Sequence, residues 1–215
     1  MKIEKGSKLV MIGDSVTDVG RTRPIGEGLF DALGKGYVSN IDALLTTAYP
    51  AHNIRVINQG CGGNTVRDLK SRWKEDVLDL KPDWLSIMIG INDVWRQFDL
   101  PRQPECHVYP EEYGAILEEL VGGTQPSLKG LVLMSPYFIE PNKSDTMRAR
   151  MDCYGSIAKA VAQRNGAIFV DTQAAFDAAL EHHHATSLAW DRIHPNQAGH
   201  MIITRAFLKA IEFSW

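Results

Sequence analysis

The chain has little that would tie it to a membrane, to nucleic acid or to an oxidising compartment. No stretch approaches the roughly 20 consecutive apolar residues that span a bilayer. The opening Met1-Lys2-Ile3-Glu4-Lys5-Gly6-Ser7-Lys8 is too polar for a secretory signal, so residence in the cytoplasm is the expectation. Lys and Arg number 23 against 26 Asp and Glu, a formal charge of -3 with no basic run. The electrostatic footprint of a nucleic-acid or anionic-membrane binder is missing, and a neutral substrate fits. Only three cysteines occur, Cys61, Cys106 and Cys153. They form an odd, widely spaced set that matches neither a disulfide framework nor a metal site, so reduced thiols are expected. Also missing are Gly-x-x-x-x-Gly-Lys-Ser/Thr, Gly-x-Gly-x-x-Gly and Gly-x-Ser-x-Gly, which removes support for nucleotide binding and for the α/β-hydrolase nucleophile elbow.

What is present is enough for a substantial core. At 215 residues and 44% hydrophobic content, one domain spanning residues 1–215 is expected. No repeat, low-complexity tract or linker interrupts it. Short apolar runs at Lys8-Ile12, Ile54-Ile57, Asp83-Ile89, Gly130-Met134 and Ala167-Val170 read as strands. Helical patterns lie between them, near 37–48, 65–79, 111–121, 145–164 and 196–211. Such alternation predicts an α/β fold with a parallel sheet covered on both faces. Ligands then bind at the carboxyl ends of the strands. Residues 96–110 and 181–193 read as long loops rich in Pro, His and polar groups, a length that is often functional.

Four segments carry the chemistry. Ser15, in Gly13-Asp14-Ser15-Val16, follows the first strand, and Asp191-Arg192-Ile193-His194 lies near the other end of the chain. A serine hydroxyl needs an imidazole to take its proton as it attacks, and a carboxylate to hold that imidazole in the right tautomer. Asp191 and His194, three positions apart, meet across one turn, and Pro195 suits the first turn of the helix that follows. Either segment alone is a common turn or cap pattern. Two further segments decide the matter. Asn58-Gln59-Gly60-Cys61-Gly62-Gly63-Asn64-Thr65 is a glycine cluster directly after a strand, where backbone can approach a ligand closely. Gly90-Ile91-Asn92-Asp93 puts an amide side chain at the end of another.

In order and content these segments resemble the four signature blocks of the SGNH (GDSL) hydrolase family, over residues 9–200. The resemblance implies Ser15 as nucleophile, His194 as base and Asp191 as its orienting acid. The implied oxyanion hole comprises the Ser15 amide, the Gly63 amide and the Asn92 side chain. It also implies a three-layer α/β/α sandwich with a central five-stranded parallel sheet, the flavodoxin-like SGNH hydrolase fold, working without metal or cofactor. The longer stretches Gly13-Asp14-Ser15-Val16-Thr17-Asp18, Gly62 to Lys70, Ile89 to Gln97 and Ala189 to Pro195 are similar to intracellular acetylxylan and acetyl-xylooligosaccharide esterases. That branch implies a serine esterase that deacetylates a small acetylated oligosaccharide. The competing readings are an esterase or thioesterase on longer acyl chains, lysophospholipase-like, and a non-catalytic carbohydrate-binding protein.

The remaining features carry plainer expectations. Adjacent side chains diverge, so His182-His183-His184 reads as solvated surface rather than a zinc site. Trp95 and Trp190, beside Asn92 and Asp191, either wall a substrate pocket or pack in the core. Arg55 and Arg67 stay unassigned, and Asp14 reads as a structural acceptor for backbone N–H groups. At the chain end, Phe213 and Trp215 either bury against a partner subunit, making a homo-oligomer, or fold back on their own domain.

Overall fold

The computed structural model describes residues 1–215. Five strands form, β1 Lys8–Gly13, β2 Arg55–Gly60, β3 Trp84–Met88, β4 Gly130–Met134 and β5 Ile168–Val170. All pair in parallel in the order β2-β1-β3-β4-β5, the flavodoxin-like arrangement. Eight α-helices surround them: α1 Ser15–Asp18, α2 Tyr37–Ala48, α3 Val66–Ser71, α4 Ile91–Asp99, α5 Pro110–Thr124, α6 Thr146–Arg164, α7 Thr172–Leu180 and α8 Gln197–Ala210.

Side-chain alternation along the strands builds two cores. On β1, Val10 and Ile12 face one side with Val66, Leu69, Tyr113, Leu117 and Tyr154 of α3, α5 and α6. Leu9 and Met11 face the other with Tyr37, Ile41, Phe176, Ile203 and Phe207 of α2, α7 and α8. The two clusters hold 26 and 24 buried residues, so neither face of the sheet is left to water. The result is the expected three-layer sandwich.

Three helices lie outside the sequence pattern. Helix α1 is a single turn. Helix α4 takes up the first residues of the segment expected to be a 96–110 loop. Helix α7 buries Thr172, Gln173 and Phe176 while exposing Ala174 and Ala178, which gives little hydropathy contrast, and it is capped by Asp171, whose carboxylate accepts from Ala174 N. The helix expected over 65–79 is broken into α3 and a π-helical turn over Lys74–Leu78. The break falls at Arg72, whose guanidinium reaches back to the carbonyls of Gly13 and Gln59. Pro195 also departs from expectation. It precedes the N-cap of α8 rather than lying in its first turn, because the Asn196 side chain takes the cap by accepting from Gly199 N at 3.1 Å.

Close backbone approach at the strand ends is what lets α1 sit on the sheet. A Cβ on Gly60 would lie 2.2 Å from the Asp18 nitrogen and 2.6 Å from its Cα. Backbone cannot yield there as a flexible side chain would. Gly60→Ala is therefore expected to lower stability by about 1–3 kcal/mol, read as a drop in melting temperature. An unchanged melting temperature would show that α1 is free to move away from β2.

Candidate active site

Asp14 starts the site. It caps α1 by accepting from Val16 N at 2.9 Å, and its own carbonyl accepts from Asp18 N. That cap holds Ser15 at the first helical position, and Asp14 itself is 2% exposed. Burial drives its pKa up to about 7, against the lowering effect of the Val16 N–H and of the His194 ring. It is thus a structural acceptor beneath Ser15, as the sequence suggested.

The Ser15 hydroxyl is 2.8 Å from His194 Nε2, and His194 Nδ1 is 2.6 Å from Asp191 Oδ2. The other Asp191 oxygen accepts from the backbone N–H groups of Ile193 and His194 at 2.9 and 2.8 Å. Partial burial tends to raise the Asp191 pKa. The hydrogen bonds from the His194 ring and from the two N–H groups outweigh it, and the net shift is downward. An ionised carboxylate on Nδ1 requires the proton to be there, which leaves Nε2 to accept from the Ser15 hydroxyl. Arg192 adopts a left-handed backbone (φ 63°) to make this turn. The turn is stapled to the segment after β4: Tyr137 OH donates to the Ile193 carbonyl, Ile139 N to the Arg192 carbonyl, and Arg192 pairs with Glu140 at 2.5 Å.

The second loop supplies backbone donors. Gly63 has φ 79°, a conformation side chains rarely adopt, with open space where a Cβ would be. The Gly62 N–H is already committed to Asp18 Oδ2 at 3.1 Å, whereas the Ser15 and Gly63 N–H groups have no acceptor within the chain. Asn92, 1% exposed at the start of α4, donates from Nδ2 to the Asn64 carbonyl at 2.9 Å. One amide hydrogen remains for a ligand. All these donors stand at the carboxyl ends of β1, β2 and β3.

Several supporting residues escaped the sequence reading. Arg72 joins Asn64 Oδ1, Asp76 and the carbonyls of Gln59 and Gly13. Asp93, fully buried, accepts from Val66 N at 2.9 Å, tying α4 to the start of α3. Its second oxygen has no partner, and burial pushes its pKa up to about 7. The only sequence signal for either was position, Asp93 next to Asn92 and Arg72 within a helical run. Asn58 is easier to rationalise, because a buried amide in a strand must be satisfied. Its Nδ2 donates to the Thr17 and Leu33 carbonyls.

The two tryptophans part company. Trp95 is half-buried and meets the His194 ring edge-on at 5.9 Å, while also packing on the core of the α5 and α6 face. Trp190 is 88% exposed and belongs to no core. Arg55 donates from Nε and Nη2, one edge of its guanidinium, to both carboxylate oxygens of Glu27. Arg67 binds Glu112 and the carbonyls of Glu105 and His107, holding the 100–110 segment. Of His182, His183 and His184, only the last makes side-chain bonds, its Nδ1 accepting from Thr186 N and meeting the Thr186 hydroxyl. Phe213 packs edge-on against Tyr49, and Trp215 is 91% exposed.

The raised pKa of Asp93 has a stability signature. Its folded value lies above that of an unfolded aspartate, so its contribution is complete below about pH 4 and is lost as pH rises toward 7. Asn cannot ionise, so Asp93→Asn should gain stability relative to the parent as pH rises across that window. Melting temperatures of both proteins between pH 4 and 8 check this, and a difference independent of pH would mean that Asp93 is ionised throughout.

Comparison with known proteins agrees with this geometry. The model of the GDSL-like Lipase/Acylhydrolase family matches residues 11–202. An acetylxylan esterase of Geobacillus stearothermophilus is 58% identical over 215 residues, covering 100% of this chain and 98% of its own. The crystal structure of Axe2, an acetylxylan esterase from Geobacillus stearothermophilus, superposes with a TM-score of 0.99 at 58% identity, covering 100% of this chain and 98% of that one. Solved Axe2 variants described as catalytic mutants are S15A, D191A and H194A. LAE5, described as an alpha/beta hydrolase enzyme from the metagenome of Lake Arreo, Spain, superposes at 0.97 with 57% identity, covering 99% and 98%. With full-length identity of that order and a family match from β1 into α8, the chain belongs to the GDSL-like lipase/acylhydrolase family.

Proposed function

We propose that this protein is a serine esterase that removes O-acetyl groups from xylooligosaccharides through an acetyl-enzyme intermediate. The observation that carries the proposal is the unbroken hydrogen-bonded relay from Ser15 through His194 to Asp191, in a chain alignable end to end with an acetylxylan esterase. A small neutral substrate accords with the mild net charge, and the exposed face of Trp190 beside the triad offers a surface for sugar stacking.

In the mechanism, the Ser15 oxygen attacks the acetyl carbonyl while its proton passes to His194 Nε2. The imidazolium is stabilised by the Asp191 carboxylate on Nδ1. The carbonyl oxygen becomes an oxyanion, held by the Ser15 and Gly63 N–H groups and the remaining hydrogen of the Asn92 amide. The intermediate collapses by breaking the bond to the sugar oxygen, which takes the proton from Nε2 and leaves as a free hydroxyl. A water then adds to the acetyl-Ser15 carbonyl, giving its proton to the same nitrogen. Acetate departs and the Ser15 hydroxyl is restored. The proton that left Ser15 goes out on the sugar hydroxyl, one proton of the water restores the Ser15 hydroxyl and the other leaves with the acetic acid, so the enzyme is regenerated and the net reaction is hydrolysis of the ester.

The test is acetate release from acetylated xylooligosaccharides, with p-nitrophenyl acetate and p-nitrophenyl octanoate alongside and Ser15→Ala as the blank. Acetate release that vanishes in the mutant, with little octanoate cleavage, is the expected result. Octanoate preference without sugar deacetylation would move the protein to longer-chain esters, and silence on all three substrates would overturn the esterase reading. Asp191→Asn should lower kcat by up to about 10⁴-fold, because the amide favours the wrong imidazole tautomer. Unchanged turnover would remove Asp191 from the relay.

A further inference from the structure

Asn92 is useful as an oxyanion donor only if its amide presents nitrogen, not oxygen, to the reacting carbonyl. The two ends of an amide have nearly the same size, and packing alone does not distinguish them. The neighbours do. Its Nδ2 faces the Asn64 carbonyl oxygen at 2.9 Å, a group that only accepts. Its Oδ1 lies 3.3 Å from Nη2 of Arg96, a group that only donates. Turning the amide over would set oxygen against oxygen at one end and N–H against N–H at the other, and would aim a carbonyl at the developing oxyanion.

Arg96 is itself held. It follows Asn92 by four residues on α4, so the two side chains share one helix face. Its Nη1 pairs with Asp99, and its guanidinium carbon lies 4.8 Å from the centre of the Trp95 ring. Trp95 in turn meets the His194 ring at 5.9 Å. A planar cation fixed by an ion pair and a stacked ring spends one N–H bond on the Asn92 oxygen, and its charge draws electron density from the amide, making the Nδ2 hydrogens better donors.

We propose that Arg96 is a positioning residue for this reaction. By bonding Asn92 Oδ1 it holds the amide in the one orientation that donates to the oxyanion, and it polarises that donor. The inference rests on the esterase reading and on Asn92 as part of the oxyanion hole, and the test separates these. Kinetics on p-nitrophenyl acetate would be measured for the parent, Arg96→Met, Arg96→Lys, Asn92→Ala and the double variant Asn92→Ala/Arg96→Met, with melting temperatures for all.

Asn92→Ala should lower kcat by about 10²–10³-fold. Arg96→Met should lower kcat by about tenfold with KM within about twofold of the parent, and Arg96→Lys, which still offers an N–H donor, should recover most of that loss. Because Arg96 acts through Asn92, adding Arg96→Met to Asn92→Ala should change kcat by less than about twofold. Losses that multiply in the double variant, or an Arg96→Met kcat within twofold of the parent while Asn92→Ala is impaired, would overturn the role of Arg96. Asn92→Ala with parental kcat would instead overturn the oxyanion assignment beneath it. A fall in activity that follows the melting temperature and is not rescued by Lys would assign Arg96 to folding alone, and the proposal would fall.

Discussion

The structure depends on the parallel ladder that holds β1 between β2 and β3. Gly13 at the end of β1 pairs with Gly60 on one side and Met88 on the other. Parallel strands in register end at the same level, so the three segments that leave them emerge side by side. The Ser15 turn, the glycine loop and the Asn92 helix are brought together by backbone hydrogen bonds rather than by contacts among the functional groups themselves. The fourth segment, Asp191 to His194, reaches this edge from the far end of the chain and is fastened there through Tyr137, Ile139 and Glu140.

Upon this frame the polar groups form two kinds of support. Charged residues at the surface end of the site, such as Asp18 with Arg23 and the Gly62 N–H, and Arg72 with Asp76, tie loops together where water competes. Beneath them, Asp14 and Asp93 are wholly buried and each accepts a backbone N–H at the start of a helix. A buried carboxylate with one donor and no cationic partner holds its proton to an unusually high pH. Asp191, which meets the His194 ring, is treated oppositely. Three N–H donors and partial solvent access keep it ionised beside the imidazole. Three aspartates in one site thus serve as helix cap, inter-helix tie and imidazole partner, and their surroundings decide which.

The main elements were legible because hydrophobic runs and turn residues report them directly. β4 and α2 fall at the expected boundaries, and the other strands fall within one to three residues of them. Helix α4 was missed because its exposed face is polar and its start coincides with the Gly90 turn. Helix α7 was missed because it buries the polar Thr172 and Gln173 and exposes alanines, so its faces show little contrast. Ser15, Gly63 and Asn92 stood out as residue types at strand ends, and Asp191 and His194 as an acid–imidazole pair three residues apart in a loop; the structure brings Ser15, Asp191 and His194 into one hydrogen-bonded chain. Arg72, in an expected helical run, and Asp93 and Arg96, near an expected loop, did not stand out, since a charged residue in either place is ordinarily a solvated one.

By itself the sequence determined which chemistry was available and which layers would form, because residue type and hydrophobic period are local properties. Only tertiary structure decided which glycine amide is free. Gly62 and Gly63 are neighbours of the same type, and what separates them is Asp18, arriving from another element to occupy one N–H. The same holds for Trp95 against His194 and for Trp190 in solvent. Contacts of this kind join or separate segments distant in the chain, and they come into being only when the strands are laid in register and bring their ends together, whereas the Arg96 contact to Asn92 needs only the turn of α4.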